Sequence, residues 1–360
     1  MKKIYILTAI LFFNSIVMNA QTTEVVNPAS GGPSGFLISG NNLFYSRSGD
    51  GIISKIDLTA PTPVTPINVI SGLNGPEGMV ISGNFMYIAQ VGANKISKFD
   101  ITATTPTVID IATGFNEPAA LLLNGNDLYI SEVSGGKISK IDITAAIPAI
   151  PVDVVTGLNT PYDLALNGND LYIAEVDGNK ISKIDITATS PSTTDVITGL
   201  SKPLHLELNG NDLYISEVNG GKITKIDITA TVATTTNVVT GFDSPESLAL
   251  YGNDLYFSNF PSAGTGPTVI LKFDLGSLST VENSNIELLT LYPNPTTDYI
   301  QISGLKTAVN YTIYDYLGKE VNHGNISEQN KIDVQNLSNG LYFLRLVGEN
   351  SNKDFKIIKD

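Results

Sequence analysis

One phrase recurs six times along the chain and limits the folds open to it. It reads Asn-Gly-Asn-Asp-Leu-Tyr-Ile from Asn124, Asn167 and Asn209, and three weaker copies stand in line with these. The aromatic residues of the six copies lie 42 or 43 residues apart, at Phe44, Tyr87, Tyr129, Tyr172, Tyr214 and Tyr256. Six copies at one period predict a repeat architecture in which every copy forms the same small unit.

Each copy divides into four short apolar stretches separated by turn residues. In the third copy a segment led by Pro118 is followed by the Asn-Gly-Asn-Asp turn, a strong hairpin signal. This hairpin is followed by a Gly-rich turn and a third strand. A Thr/Pro/Ala-rich stretch then leads to the fourth strand. Four antiparallel strands in about 42 residues form the blade of a β-propeller. The sequence therefore predicts an all-β protein with a six-bladed propeller over residues 21–275.

The two ends of the repeat region complement each other. After Asp274 the sixth copy lacks the Val-Val-Thr-Gly stretch that ends the preceding ones. The segment Thr22-Thr-Glu-Val-Val26 is similar to Thr235-Thr-Asn-Val-Val239 of the fifth copy. We expect this N-terminal segment to supply the outer strand of the last blade, which closes the ring and covers an open strand edge.

Composition excludes several classes of function. The 360 residues include no cysteine, which excludes disulfides, thiol nucleophiles and Cys-ligated zinc. They include two histidines, too few for a histidine-rich metal centre. A net charge of −14 gives a surface that repels phosphate, so we expect no nucleic-acid partner.

Residues 1–20 have the pattern of a secretory signal peptide. Lys2 and Lys3 precede an apolar run over 4–13, and Ala20 stands at the expected cleavage point. The apolar run is about half of the ~20 residues that a membrane span needs. We expect an exported mature chain without a transmembrane segment, with an uncleaved anchor as the alternative.

The sequence changes character after Leu275. A polar linker at 276–288 precedes alternating apolar strands over 289–360, which predict a small antiparallel β-sandwich. This region contains the phrases Tyr-Pro-Asn-Pro, Tyr-Asp-x-Leu-Gly-Lys and Leu-Ser-x-Gly-x-Tyr, and it has a Lys-rich end. The residues that carry the motif are Tyr292, Pro293, Asn294, Pro295, Gly318, Gly340, Lys356 and Lys359.

These phrases closely resemble the type A sorting domain of the type IX secretion system. The resemblance implies Sec export, transit of the periplasm and recognition of residues 289–360 by the type IX machinery. The product would then be released or attached at the outer membrane and cell surface. An accessory sandwich without a sorting role is the alternative.

The innermost strand of each blade begins with Pro, and six such strands surround the propeller axis. Two residues after Pro the side chain is small in four copies, as expected where the ring is crowded, but the fourth and fifth copies have Asp163 and His205. Departures from a local rule are where function is expected. We predict a polar funnel mouth, in which a carboxylate would raise the pKa of His205, with a solvated histidine as the alternative. Its predicted residues are Glu77, Tyr162, Asp163, His205 and Glu246.

Glutamates end the second strand of three consecutive copies, at Glu132, Glu175 and Glu217, and suggest a calcium site. Equivalent positions on second strands lie on the order of 12 Å apart in such a ring. Ligands of one calcium ion lie within about 5 Å of each other. We therefore expect each glutamate to accept backbone amides in its own turn or in the next blade.

The repeats also resemble NHL-type propellers and their gluconolactonase and streptogramin-lyase relatives, over about residues 22–275. One propeller fold hosts many activities, so the resemblance predicts the fold far better than the reaction. The lyase relatives place a catalytic histidine directly after the Pro-type position, where this chain has Leu204. The lactonase relatives need a Glu, an Asn and an Asp on one calcium ion, a trio not identifiable here.

The most direct interpretation is a secreted or cell-surface module for binding or display. Its ligand would be a glycan, a peptide or another surface protein. One alternative is a divalent-metal-dependent lactonase or lyase, with His205 and Asp163 as catalytic candidates. Another is a structural scaffold without a small ligand. No cofactor is predicted from the sequence, which leaves calcium or magnesium open.

Overall fold

The computed structural model describes residues 22–26, 32–261, 268–276, 290–303, 305, 308–315, 319–327, 331–347 and 352–360. The predicted signal peptide, all of the predicted linker except Gly276, and Gly318 of the sorting motif lie outside these residues. The chain divides into two compact units, Met1–Leu275 and Gly276–Asp360.

The described part of the first unit forms six four-stranded antiparallel sheets, one for each repeat. This arrangement is the predicted six-bladed propeller. In chain order its strands are β1 (Thr22–Val26), β2 (Pro33–Ser39), β3 (Asn42–Arg47), β4 (Ile52–Asp57), β5 (Ile67–Ser71), β6 (Pro76–Ser82), β7 (Phe85–Gln90), β8 (Lys95–Asp100), β9 (Ile109–Thr113), β10 (Pro118–Asn124), β11 (Asp127–Glu132), β12 (Lys137–Asp142), β13 (Val152–Thr156), β14 (Pro161–Asn167), β15 (Asp170–Glu175), β16 (Lys180–Asp185), β17 (Thr194–Thr198), β18 (Pro203–Asn209), β19 (Asp212–Glu217), β20 (Lys222–Asp227), β21 (Thr236–Thr240), β22 (Pro245–Tyr251), β23 (Asp254–Asn259) and β24 (Val269–Asp274).

The N-terminal strand closes the ring, as predicted. The sixth sheet has the order β22-β23-β24-β1, so its outer strand comes from the other end of the repeat region. Thr22 pairs with Phe273 and Thr23 with Lys272 in an antiparallel ladder. Val25 and Val26 are 1% and 2% exposed and belong to one apolar cluster with residues of the first and sixth blades.

The core is distributed between neighbouring blades. Consecutive residues of a second strand, such as Leu128, Tyr129 and Ile130, are all buried, because each blade lies between two others. Tyr87 of the second blade shares an apolar cluster with Leu128 of the third. The strand therefore needs apolar residues on both faces, because a neighbouring blade covers each face. The sheets cover one another and need no long helix for this purpose.

Every innermost strand contains an irregularity just after its leading Pro. In the third blade Pro118 pairs with Glu132 and the next paired residue is Leu121, so two residues are skipped. The same shift follows the leading Pro in the other five blades. A bulge of this kind re-aims side chains. Here the two residues after each Pro are not paired in the regular ladder. They lie at the start of the strands that surround the axis.

The described part of the second unit forms two antiparallel sheets that share one apolar core. The core includes Ile300, Ile313, Leu344 and Ile357, and this is the predicted small sandwich. One sheet has the order β25-β26-β29 and the other β28-β27-β30-β31. Its strands are β25 (Thr290–Tyr292), β26 (Tyr299–Ser303), β27 (Val309–Asp315), β28 (Glu320–Ile326), β29 (Ile332–Asp333), β30 (Gly340–Val347) and β31 (Asn352–Lys359).

Within the described ranges, a search for helices of membrane-spanning length and hydropathy finds none.

Candidate ligand site on the propeller axis

A cavity of ≈ 200 Å³ lies on the axis, bounded by the innermost strands of all six blades. The residues just after the leading Pro form much of its wall. The blades contribute, in order, Gly35, Glu77, Ala119, Tyr162, His205 and Leu248 among others.

Crowding explains why the second residue after Pro is small in most blades. A Cβ atom on Gly78 would lie 2.4 Å from the backbone oxygen of Ala119 in the next blade. On Gly35 it would lie 2.5 Å from the backbone oxygen of Glu77. Real Cβ atoms do not approach this closely, so the next blade excludes a side chain at these two positions. Asp163 and His205 occupy the same position in blades four and five.

Asp163 joins two blades through the backbone. Its Oδ2 accepts a hydrogen bond of 2.8 Å from the backbone N–H of Leu206, and its Oδ1 accepts one of 2.8 Å from that of Leu164. At the same position of the sixth blade, the Ser247 hydroxyl donates to the backbone oxygen of Pro33 at 3.2 Å. Part of what Asp163 does is therefore to link neighbouring innermost strands.

His205 lies against this carboxylate. Its Nδ1 is 3.3 Å from Asp163 Oδ2, and its side chain is 12% exposed. Burial lowers the pKa of His205, but the hydrogen bond and charge of Asp163, together with the charges of Glu246 and Glu77, raise it above 6.5. The balance favours the imidazolium form more than in a free histidine.

The other ring nitrogen of His205 is buried and has no hydrogen-bond partner among the residues that the structure describes. An imidazolium has two N–H donors. A buried donor without a partner costs roughly 1–3 kcal/mol. The Tyr162 ring packs edge-on against the imidazole, with centroids 5.4 Å apart at 76°, and limits its rotation. Nε2 is therefore a donor that no described residue satisfies, on a side chain that lines the cavity.

Tyr162, which packs against His205, is also hydrogen-bonded to Glu77. The Tyr162 hydroxyl donates to Glu77 Oε2 at 3.3 Å. Burial raises the pKa of Glu77, while hydrogen bonds from Ser48 and Ser34 and the charge of His205 act against this. Burial also raises the pKa of Tyr162 well above 10, with Glu77 adding to the effect, so the phenol stays a donor.

Glu246 is the most loosely connected of the predicted residues. Its Oε1 accepts a hydrogen bond of 3.4 Å from the Ser244 hydroxyl. Burial raises its pKa, the charge of His205 lowers it and that of Glu77 raises it. Glu77, Tyr162, His205 and Asp163 thus form a continuous chain of contacts, to which Glu246 is coupled by its charge.

Glu207 belongs to the same cavity and was not predicted. Burial raises its pKa from 4.5 to about 8, the charge of Asp163 raises it too, and the backbone N–H of Leu250 lowers it. The position four residues after Pro is apolar in the other five blades, as Leu37, Val80, Leu122, Ala165 and Ala249. Comparing this position across the repeats would have identified Glu207, because it breaks the pattern as Asp163 and His205 do.

The glutamates that end the second strands brace their own blades. Glu175 Oε2 accepts a hydrogen bond of 2.9 Å from the backbone N–H of Asn159, and its Oε1 accepts one of 2.6 Å from the Ser182 hydroxyl. Glu217 does the same with Ser201 and Thr224. The prediction that they accept backbone amides is confirmed. Across the described ranges no three His, Asp or Glu side chains are placed to hold one metal ion.

In the second unit, the two ends of the sorting motif are in contact. Asn294 Oδ1 accepts a hydrogen bond of 2.8 Å from the backbone N–H of Ile358, and its Nδ2 donates to the backbone oxygen of Lys356 at 2.7 Å. Tyr292 is 46% exposed, whereas Lys359 is buried and donates to the backbone oxygen of Asp360. The Tyr-Pro-Asn-Pro loop and the terminal strand therefore form one surface.

Comparison with known families identifies this second unit. Residues 290–360 match the family described as the secretion system C-terminal sorting domain. The motifs predict the same assignment, a type IX sorting domain, which places the protein among chains destined for secretion or attachment at the cell surface. A search of curated proteins finds no match to the chain.

Solved structures similar to this chain are propellers of unlike function. A luciferin-regenerating enzyme matches with a TM-score of 0.56 and 11% identity, covering 68% of this chain and 92% of that one. A catalytically inactive virginiamycin B lyase from Staphylococcus aureus, bound to quinupristin, matches at 0.50 and 19%, covering 78% and 95%. A nidogen/laminin complex matches at 0.50 and 15%, covering 57% and 80%. At these identities the likeness shows the fold alone.

Proposed function

We propose that this protein is an exported propeller module that binds a ligand at the axial cavity and is displayed at, or released from, the cell surface. Residues 1–20 would direct Sec export into the periplasm, and the sorting domain would direct the type IX step. The ligand is a glycan, a peptide or another surface protein.

The buried, unpartnered Nε2 of His205 is the observation that carries the binding proposal. The same position is filled by a small residue in four of the six blades. Instead the fourth and fifth blades place Asp163, His205 and Glu207 beside one cavity. The six repeats are otherwise similar, and these three departures from the repeat all lie on strands that surround the axis.

Binding is favoured over catalysis by the way the carboxylates are engaged. Both oxygens of Asp163 accept backbone amides, so this residue is held as a link between blades. The second candidate remains a divalent-metal-dependent lactonase or lyase. It is favoured by the 3.3 Å contact of His205 with Asp163, because a carboxylate beside an imidazole can orient it for acid–base chemistry. Calcium or magnesium would be its cofactor.

Two experiments on the mature chain, residues 21–360, test the proposal. The first screens arrays of glycans, peptides and surface proteins with the wild-type protein and with His205→Gln. His323→Gln is the matched control, because His323 is the other histidine and its side chain is 74% exposed. We expect a ligand whose binding is lost only in His205→Gln. If no ligand depends on His205, the binding proposal fails.

The second experiment measures thermal unfolding with EDTA and then with added calcium or magnesium, alongside elemental analysis. A ligand that binds the folded state raises its stability by mass action. The binding module should show no stoichiometric metal and no shift. A bound ion with a shift of several degrees would favour the metal-dependent enzyme instead.

A further inference from the structure

We infer that the axial cavity binds the end of a carbohydrate through neutral hydroxyl groups. This inference rests on the proposed binding function and adds the class of ligand. Complementary hydrogen bonding, charge and size each support it.

The hydrogen-bonding groups of the cavity match a hydroxyl. His205 Nε2 offers a buried donor without a partner in the described part of the chain, held beside Tyr162. Glu77 has hydrogen bonds from Tyr162, Ser48 and Ser34, and a carboxylate has about four acceptor positions, which leaves one to offer a ligand. A hydroxyl can both accept and donate hydrogen bonds, so the several hydroxyls of one sugar can satisfy the His205 donor and the Glu77 acceptor.

Charge argues against the ionic alternatives. An anionic group would meet Glu77 and Glu246 as well as Asp163, and the single imidazole could not offset all three. An ammonium group has no lone pair for the His205 N–H, so it would leave that buried donor unsatisfied although the carboxylates attract it. A neutral donor–acceptor group avoids both penalties.

Size and lining indicate the end of a molecule rather than a whole drug-sized ligand. The cavity is ≈ 200 Å³, below the roughly 300–1,000 Å³ of typical small-molecule sites. Apolar residues lie beside the polar groups in its wall, among them Phe36, Met79 and Leu248. A sugar ring also combines C–H faces with hydroxyl edges.

Calorimetry on residues 21–360 tests this with a panel of neutral monosaccharides and their methyl glycosides: glucose, galactose, mannose and xylose. For any that binds, the amino and uronic acid derivatives of the same sugar are compared. We expect at least one neutral sugar to bind, and both charged derivatives to bind more weakly. His205→Gln should raise the dissociation constant about tenfold or more, as expected for one lost hydrogen bond to a charged group. His323→Gln should leave it unchanged.

Glu77→Gln provides a second variant if His205→Gln fails to fold. It keeps the side-chain length, and should weaken sugar binding by roughly three- to tenfold through loss of a charged acceptor. A charged derivative that binds as tightly as the neutral sugar overturns the inference, as does a panel in which no sugar binds. If a peptide or protein instead binds in a His205-dependent way, only the carbohydrate class is wrong. If nothing binds in that way, the proposed function fails as well.

Discussion

Glu207 shows how a single replacement within a repeat changes the chemistry of a blade. The equivalent positions pack apolar side chains, and only here does a carboxyl enter the same environment. Burial disfavours the charged form, and the nearby Asp163 adds repulsion, so the pKa of Glu207 rises to about 8. At neutral pH the folded protein therefore holds a proton that the unfolded chain releases.

Glu207→Gln should remove a pH dependence of stability. The folded-state pKa of Glu207, about 8, exceeds the ordinary 4.5, so between these two pH values the folded state binds more protons than the unfolded state. The free energy of unfolding therefore falls as pH rises from about 4.5 to about 8. At about 1.4 kcal/mol per pKa unit, the loss is on the order of a few kcal/mol. Glutamine keeps an acceptor for the Leu250 N–H. The variant's melting temperature should exceed that of the wild type by more at pH 8.5 than at pH 5.

The control for this experiment is Glu24→Gln, whose side chain lies on the exposed side of β1. It should shift the melting temperature equally at both pH values. An equal gap for Glu207→Gln at the two values would contradict the assignment.

Glu175 allows a matched test of the bracing role, because the second blade uses glutamine in the same place. Gln90 Oε1 accepts from the backbone N–H of Asn74 at 2.8 Å, and its Nε2 donates to the Ser97 hydroxyl at 2.7 Å. Glu175→Gln should therefore change unfolding free energy by less than about 1 kcal/mol, whereas Glu175→Ala strands a backbone N–H and costs roughly 1–3 kcal/mol. Urea denaturation compares the two, and equal losses would refute the brace.

At the scale of elements, the strands could be predicted because the pattern of each strand occurs six times in the sequence. The Asn-Gly-Asn-Asp turns and the leading prolines locate the first two strands of every blade, and the gap after Asp274 reveals the closing strand. The site was harder to predict. The crowding at the axis made the second residue after Pro recognisable as a departure from the repeat. The burial of Glu207, in contrast, depends on which face the bulged strand turns toward the next blade. Hydrophobic periodicity does not report this orientation.

Removing strand β1 should destabilise the whole ring. Deletion of residues 21–28 removes the buried Val25 and Val26, uncovers the apolar side chains they pack against, and leaves the edge of β24 without its ladder partners. Burial of each valine contributes about 1.5–3 kcal/mol. For a unit of this size each kcal/mol moves the melting temperature by roughly 2–4 °C. We expect a decrease of about 10 °C or more by calorimetry. Glu24→Ala, on the exposed side of β1, should have little effect, and an unchanged midpoint after the deletion would contradict closure by this strand.

At the scale of the whole molecule, two units divide the work: the propeller carries the axial site, and residues 290–360 carry the sorting signal. A chain that ends at Leu275 should therefore reach the periplasm and stay there, while the intact chain reaches the surface or the medium. Cell fractionation with immunodetection in a host that has the type IX system measures this.

Asn294→Ala refines the test, because it breaks both hydrogen bonds between the Tyr-Pro-Asn-Pro loop and the terminal strand without removing either segment. We expect a reduced extracellular fraction and periplasmic accumulation. Asn325→Ala is the control, since Asn325 is exposed on β28 and its amide donates only to the neighbouring Asn310 side chain. If the truncated chain reaches the surface as efficiently as the intact one, the sorting domain is dispensable. If both asparagine variants are exported equally, sorting does not require the joined surface.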